Sequence, residues 1–130
     1  MDIGQRALDY HKNGYNCAQS VFAACCEYTG LDEKTALALS AGFGGGARSG
    51  ELCGAVTGAI MAEGLVFPFN DGQDTEAKDK IAAIAKQCVT IAREKYGYVR
   101  CAGLKGNIDC SEIIAFMAKT AEDIMKKEKN

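Results

Sequence analysis

The chain has 130 residues, the size of one ordinary domain, and hydrophobic side chains occupy 48% of its positions. Its net charge of −2 offers no positive surface for nucleic acid, so nucleic-acid binding is excluded as an expected function. The apolar content and the single proline indicate a compact, mainly helical protein. We therefore treat residues 1–130 as one domain.

The sequence contains no signal that directs the chain into or across a membrane. Its first residues lack the basic start and apolar run of a secretory leader. The most apolar stretch, residues 52–69, is interrupted by Glu63 and Pro68, so we predict no transmembrane segment. We expect a cytoplasmic protein.

Six segments have the apolar spacing and the end signals of helices. We predict helices over residues 2–12, 16–29, 32–39, 49–64, 74–96 and from residue 109 onward, with a loop over 98–108. The expected N-caps are Asn16, Asp32, Asp74 or Thr75, and Asp109, the last forming a capping box with Glu112. No segment alternates like a strand. The predicted fold is all-α, a compact bundle of five or six helices around a central Gly/Ala-rich helix.

That central helix follows a glycine cluster within residues 41–65. We predict Ser49 as its N-cap and Glu51 in its first turn, where a negative charge suits the helix dipole. Cys53 would then lie about one turn into the helix, where the positive end of the dipole favours a thiolate. Small residues such as Gly58 let neighbouring helices approach closely, so we place this helix at the centre of the fold.

The glycine cluster lacks the GxxxxGK[ST] pattern of a phosphate-binding loop, and no predicted strand precedes it. Arg48 is the only nearby cation, and we expect it to be exposed, where it could still favour a thiolate or an anionic ligand. We predict that the cluster wraps the Cys53 sulfur with backbone amides. The positions assigned to cofactor binding are Gly44, Gly45, Gly46 and Gly54.

Seven cysteines are an unusual number for a chain of this length, and their odd number argues against a fully paired disulfide framework. In a reducing compartment such cysteines are more typical of catalytic or metal-binding sites. Three of them, which lie inside predicted helices, are interpreted as packing residues: Cys25, Cys26 and Cys88. The other four lie near predicted helix starts or in the glycine-bearing loop: Cys17, Cys53, Cys101 and Cys110.

Position alone leaves the role of these four cysteines open. Converging helix N-termini would favour reactive thiolates, and they would equally favour an iron–sulfur or zinc-thiolate centre. Helix starts are also common enough for the grouping to be accidental. The spacings match no standard ligand pattern, and the chain has no CxxC motif.

The chain resembles a family of proteins described as redox-active and labelled by the pattern C…GCAxxG…C…C, with a central motif CGAxxG. The matching residues are Asn16-Cys17-Ala18-Gln19-Ser20, Gly42-Phe43-Gly44-Gly45-Gly46, Cys53-Gly54-Ala55-Val56-Thr57-Gly58, and then Cys101 and Cys110. The resemblance implies that Cys17, Cys53, Cys101 and Cys110 form the functional set. A related domain in certain multihaem cytochromes makes an iron–sulfur centre plausible, whereas the absence of CxxCH here argues against covalent haem.

Three functions follow from this resemblance. The leading hypothesis is an oxidoreductase or electron-transfer protein whose four cysteines hold an iron–sulfur cluster or another metal. The second is a thiol–disulfide protein without a cofactor, with Cys17/Cys53 and Cys101/Cys110 as the simplest pairs. The third is a non-enzymatic helical module with a structural zinc. A redox partner is expected but not specified, and the oligomeric state, a homodimer included, stays open.

Two further titratable residues have no assigned role. His11 is the only histidine and is expected at the surface rather than in a metal site or a catalytic scheme. Glu63 lies within an apolar run of the central helix. The sequence does not decide whether Glu63 is buried and paired or lies at the helix end.

Overall fold

The computed structural model describes residues 2–104 and 106–129, and this part of the chain is all-α, as predicted. Six helices have eight or more residues and two have four. In chain order they are α1 (Ile3–Lys12), α2 (Cys17–Ala24), α3 (Cys26–Thr29), α4 (Glu33–Ser40), α5 (Gly54–Val66), α6 (Thr75–Tyr96), α7 (Cys101–Leu104) and α8 (Cys110–Lys129). A 3₁₀ turn, Ala41–Phe43, and an irregular segment, Gly46–Gly50, connect α4 to α5.

The predicted caps define most helix starts. The side chains of Asn16, Asp32 and Asp74 each accept a hydrogen bond from the backbone N–H three residues on, which satisfies an amide that the helix leaves free. Asp109 caps α8 by accepting a hydrogen bond from the amide of Ser111 at 2.9 Å, whereas the amide of Glu112 binds the backbone carbonyl of Asp109 and not, as the predicted capping box would require, its side chain. These caps confirm the predicted starts of four helices.

The predicted helix over residues 16–29 is wrong in its middle, because the structure divides it into α2 and α3 at Cys25. The guanidinium of Arg6 donates a hydrogen bond to the carbonyl of Ala24 at 3.1 Å. In an unbroken helix that carbonyl would accept from Tyr28, whose amide instead binds the carbonyl of Cys25 at 2.9 Å. Cys25 therefore takes φ −84° and ψ 2°, and the chain changes direction there.

The prediction of a helix from residue 49 is also wrong at its N-terminus. Residues 45–48 all have positive φ, a conformation close to a left-handed helical turn, and we call them the left-handed segment. Residues 51–53 are then extended, so α5 begins only at Gly54, with Cys53 as its N-cap. Ser49 caps no helix, since its hydroxyl donates to the carbonyl of Ala47 at 3.2 Å.

The centre of the fold is the contact between α5 and α2, and α5 also packs against α3, α6 and α8. A Cβ atom on Gly58 would lie 2.7 Å from the carbonyl oxygen of Ala18, so glycine is what lets α2 and α5 approach so closely. Apolar residues of the flanking helices, among them Ile3, Ile84 and Ile114, are buried around this contact. Among the described residues, no helix is both long enough and apolar enough to cross a membrane.

Candidate functional site

The N-terminus of α2 holds Cys17 as the first residue of the helix. Asn16 and Gln19 form a reciprocal capping box, with hydrogen bonds of 2.9 and 3.1 Å. The same two side chains also donate to the carbonyls of Ala41 and Leu37, each at 3.0 Å. The start of α2 is thereby fixed to α4 and to the 3₁₀ turn, and the position of Cys17 is fixed with it.

The extended residues before α5 pair with a second extended stretch, residues 99–101. The amide of Cys53 donates to the carbonyl of Val99 at 2.8 Å, and the amide of Cys101 donates to the carbonyl of Glu51 at 2.6 Å. An ion pair of 2.9 Å between Arg100 and Glu51 adds to this pairing. Cys101 is the first residue of α7. These bonds hold its backbone beside the extended residues 51–53. The predicted loop over 98–108 is therefore wrong at residues 100–104, where the chain forms this pairing and α7.

These two substructures place the thiols of Cys17 and Cys53 close enough for each to shift the pKa of the other. Gly54 makes the contact possible, because a Cβ atom at this position would lie only 2.5 Å from the sulfur of Cys17. The same Cβ atom would lie 2.9 Å from the carbonyl oxygen of Phe43. The glycine of the CGAxxG motif is therefore the residue that admits the Cys17 sulfur.

The two thiols have unequal electrostatic environments. The Cys53 hydrogen bond lowers the pKa of Cys17 to about 6, helped by the backbone amides of Gly45, Ala18 and Cys17 and opposed by partial burial. The pKa of Cys53 is raised far above its ordinary value, first by the same hydrogen bond and then by burial. Cys17 is half-buried, whereas Cys53 is 6% exposed. At neutral pH the pair is best described as a Cys17 thiolate that accepts a hydrogen bond from the Cys53 thiol.

The glycine cluster serves Cys17 rather than Cys53, contrary to the prediction. Within the cluster, the backbone amide of Gly45 helps to lower the pKa of Cys17. Gly44 and Gly46 instead pack against protein atoms, because Cβ atoms there would lie 2.4 Å from Cγ of Asn16 and 2.5 Å from the amide of Glu51. Of the four glycines predicted to bind a cofactor, Gly45 and Gly54 are thus the ones beside the thiol pair.

The remaining two motif cysteines lie at the starts of α7 and α8. Cys101 is half-buried and lines a cavity of about 320 Å³, while Cys110 is exposed. In the described parts of the chain, no three His, Cys, Asp or Glu side chains gather into a group that could hold a metal. As placed here, the four predicted ligands do not fit a common metal shell, and the close pair is Cys17 with Cys53.

The cysteines outside the motif have the surroundings expected of packing residues. Cys25 and Cys88 are completely buried, and burial raises the pKa of each thiol well above its ordinary value. Cys26 is half-buried. Position on an apolar stripe was therefore a sound indicator for Cys25 and Cys88.

Replacing these three cysteines tests whether they only pack. We expect Cys25→Ala and Cys88→Ala to lower the free energy of unfolding by about 1–3 kcal/mol, the usual range for loss of a buried group, and Cys26→Ser to have a smaller effect. Urea unfolding measures this change. Thiol reactivity at Cys17 should stay as in the unmodified protein, and a folded Cys88→Ala protein whose Cys17 lost its reactivity would contradict the division.

Glu63 is the residue whose burial the sequence left undecided. It is completely buried on α5, and neither carboxylate oxygen accepts a hydrogen bond from a nitrogen or oxygen donor of the described residues. The Cys88 thiol lies beside it, and burial raises the pKa of Glu63 to about 8. The feature of the sequence that pointed to a buried Glu63 was its position within an apolar run.

His11 is half-buried, with Nδ1 3.1 Å from the carbonyl oxygen of Tyr15.

Comparison with known proteins gives one match. No curated protein and no solved structure matches the chain. The match is to the model of a family described as "Putative redox-active protein (C_GCAxxG_C_C)", over residues 15–124. That range contains all four motif cysteines and nearly all of the helical fold around them, so the chain belongs to the C_GCAxxG_C_C family of redox-active proteins.

Proposed function

We propose that this chain is a thiol–disulfide redox protein in which Cys17 is the attacking thiolate and Cys53 is its partner. The observation that carries the proposal is the contact between two thiols of opposite character. One is partly accessible with a lowered pKa, and the other is buried with a raised pKa. Nucleophilic thiols typically lie in such partly exposed sites with hydrogen-bond donors around the sulfur.

The exchange uses both thiols. The Cys17 thiolate attacks a substrate disulfide, the substrate S–S bond breaks, and one substrate thiolate leaves and takes up a proton. The Cys17 sulfur is now neutral and part of a disulfide, so the hydrogen bond that contributed most to the raised pKa of Cys53 is lost and the pKa of Cys53 falls. Cys53 can then lose its proton to solvent and attack the Cys17 sulfur, which releases the second substrate thiol. In total the substrate disulfide gains two electrons, and Cys17 and Cys53 become a disulfide.

A four-cysteine iron–sulfur or other metal centre remains a prediction from the sequence resemblance. The described residues do not bring three such ligands together, so no step of the proposal passes through a metal. A reducing compartment such as the cytoplasm suits a pair that must return to its dithiol form. The oxidising and reducing partners are thiol or disulfide compounds whose identity is open.

Alkylation of reduced protein by iodoacetamide, followed at the Cys17 peptide by mass spectrometry, tests the proposal. Only the thiolate reacts, so the rate should rise through a midpoint near pH 6 and level off above it. Cys53→Ala removes the S–H donor and should shift the midpoint upward, toward the ordinary thiol value of about 8.5. Cys53→Ser keeps an O–H donor and should shift it less, while Cys88→Ala should leave it unchanged.

Two results would contradict the proposal. One is a Cys17 rate that still rises steeply between pH 8 and pH 9 in the unmodified protein. The other is anaerobically purified protein that carries iron with acid-labile sulfide, or stoichiometric zinc, bound through Cys17 and Cys53. Metal analysis and an absorption spectrum of that preparation separate these cases from metal-free protein with a reversible disulfide.

A further inference from the structure

A cavity of about 320 Å³ lies between the glycine-rich connection and α7, which supply its walls. It is lined by Gly45, Arg48, Gly50, Cys101 and Ala102. Gly45 connects this cavity with the thiol pair, because it lines the cavity and its backbone amide also helps to lower the pKa of Cys17. The volume lies at the lower end of the range for small-molecule sites.

Arg48 gives this cavity its charge. Arg6 is paired with Glu27 and Arg100 with Glu51, whereas Arg48 forms no ion pair with any described residue. Its backbone has φ 61° and ψ 17°, which places it at the end of the left-handed segment. An unpaired guanidinium in a cavity is suited to a carboxylate, which it can bind through two parallel N–H donors.

Among the described residues that line the cavity, Cys101 is the one with a nucleophilic side chain. Its thiol is half-buried, and its backbone is held by the 2.6 Å hydrogen bond to Glu51. The other walls are glycine and alanine, which present backbone and a methyl group. The described lining therefore combines the Arg48 guanidinium, the half-buried Cys101 thiol and room for a small molecule.

We propose that this cavity binds a small anionic disulfide, with a carboxylate on Arg48 and the disulfide facing Cys101. The Cys101 thiolate attacks one substrate sulfur and forms a mixed disulfide with that half. The substrate S–S bond breaks, and the other half leaves as a thiolate that takes up a proton. The substrate itself is the oxidant. This exchange goes beyond the Cys17–Cys53 proposal and does not require that pair to react.

The test compares two symmetric disulfides of opposite charge, oxidised glutathione and cystamine, on the reduced full-length chain. Mass spectrometry of the Cys101 peptide gives the rate of mixed-disulfide formation with each probe, and their ratio cancels the intrinsic reactivity of the thiol. Arg48→Gln should lower the glutathione-to-cystamine ratio by at least about threefold, within the range of an exposed ion pair. Arg48→Lys should keep most of the preference.

Two further variants separate the loss of the Arg48 charge from a disturbance of the fold. Arg48→Gly removes the same charge, and glycine adopts positive φ without strain, so it should lower the ratio like Arg48→Gln even if glutamine disturbs the fold. Arg93→Gln is the matched control, because Arg93 lines a neighbouring cavity that does not contain Cys101, and its ratio should not change. A ratio unaffected by either loss of the Arg48 charge, or mixed disulfide confined to other cysteines, would overturn the proposal.

Failure of this proposal and failure of the Cys17–Cys53 function give different results. If Cys101 reacts without charge preference while Cys17 and Cys53 still form a disulfide, only the cavity proposal fails. If Cys101 shows the Arg48-dependent preference in a protein whose Cys17 is unreactive, only the function of the pair fails.

Discussion

Gly58→Leu is expected to lower the free energy of unfolding by about 3 kcal/mol, the upper part of the range for overpacking a core. A Cβ atom at this position would lie 2.7 Å from the carbonyl oxygen of Ala18 and 3.3 Å from Cβ of Val21. The first of these is backbone, so α2 and α5 would have to move apart to admit a side chain. Urea unfolding with a fixed concentration of reductant measures the change.

Gly64→Ala is the matched control on the same helix. Apart from the two adjacent residues and the backbone of α5 itself, no heavy atom lies within 4 Å of a Cβ atom placed on Gly64, near the C-terminal end of α5. Alanine should therefore stabilise the protein by about 0.5–1 kcal/mol through its better helix propensity. Equal effects at residues 58 and 64 would show that α2 and α5 do not approach as closely as 2.7 Å between a Gly58 Cβ atom and the Ala18 carbonyl oxygen implies.

Glu63→Gln should remove a large pH dependence of stability. Burial raises the pKa of Glu63 from 4.5 to about 8, so between these values the folded state binds a proton that the unfolded state releases. Stability is therefore lost as the pH rises, at up to about 1.4 kcal/mol per pH unit. The contribution is fully present below pH 4.5 and is lost by the time the pH has passed 8. Glutamine has nearly the same shape and carries no titrating proton.

The measurement is the difference in unfolding free energy between Glu63→Gln and unmodified protein at pH 5, 6, 7 and 8. Taking the difference removes Cys17, whose lowered pKa gives the opposite slope. Cys25 and Cys88 also lie close to Glu63, but their raised pKa values place their titration above this window. The variant should gain relative stability at each step. The exposed Glu94→Gln control should not, and parallel profiles for all three proteins would refute a buried neutral Glu63.

The helices were predictable where their signals are local. Asn16 and Asp32 are caps whose bonding depends only on residues within one turn, and Gly97 ends α6 with φ 80°. Their apolar stripes then specify which faces are buried. A chain rich in such signals defines an all-α bundle without knowledge of any distant contact.

The errors occurred where distant contacts decide the local structure. The break at Cys25 depends on Arg6, which lies 19 positions earlier. The extended strand before α5 depends on residues 99–101, almost 50 positions later. Ala47 and Arg48 take positive φ although neither is glycine, and no propensity rule would place them there. Ser49 was predicted as an N-cap because it is followed by Glu51 and an apolar run, a pattern typical of a helix start.

The sequence predicted the local position of Cys17 better than the geometry of the candidate site. The predicted start of α2 correctly places Cys17 in the first turn, since the capping box around it is local. Cys53 was placed one turn too deep, because the helix start was misplaced. That Gly45 serves Cys17, and that Gly54 admits its sulfur, follows from the packing of α2 on α5. The spacing of residues in the sequence does not show how closely α2 approaches α5.

The central claim is that Cys17 and Cys53 act together as one redox pair. Its most direct test is disulfide mapping by mass spectrometry on protein equilibrated in a series of thiol–disulfide buffers of increasing potential. We expect a Cys17–Cys53 linked peptide, with both thiols lost at one shared midpoint while Cys25 and Cys88 stay reduced. Oxidation of Cys17 and Cys53 at separate midpoints, or to different partners, would contradict the account.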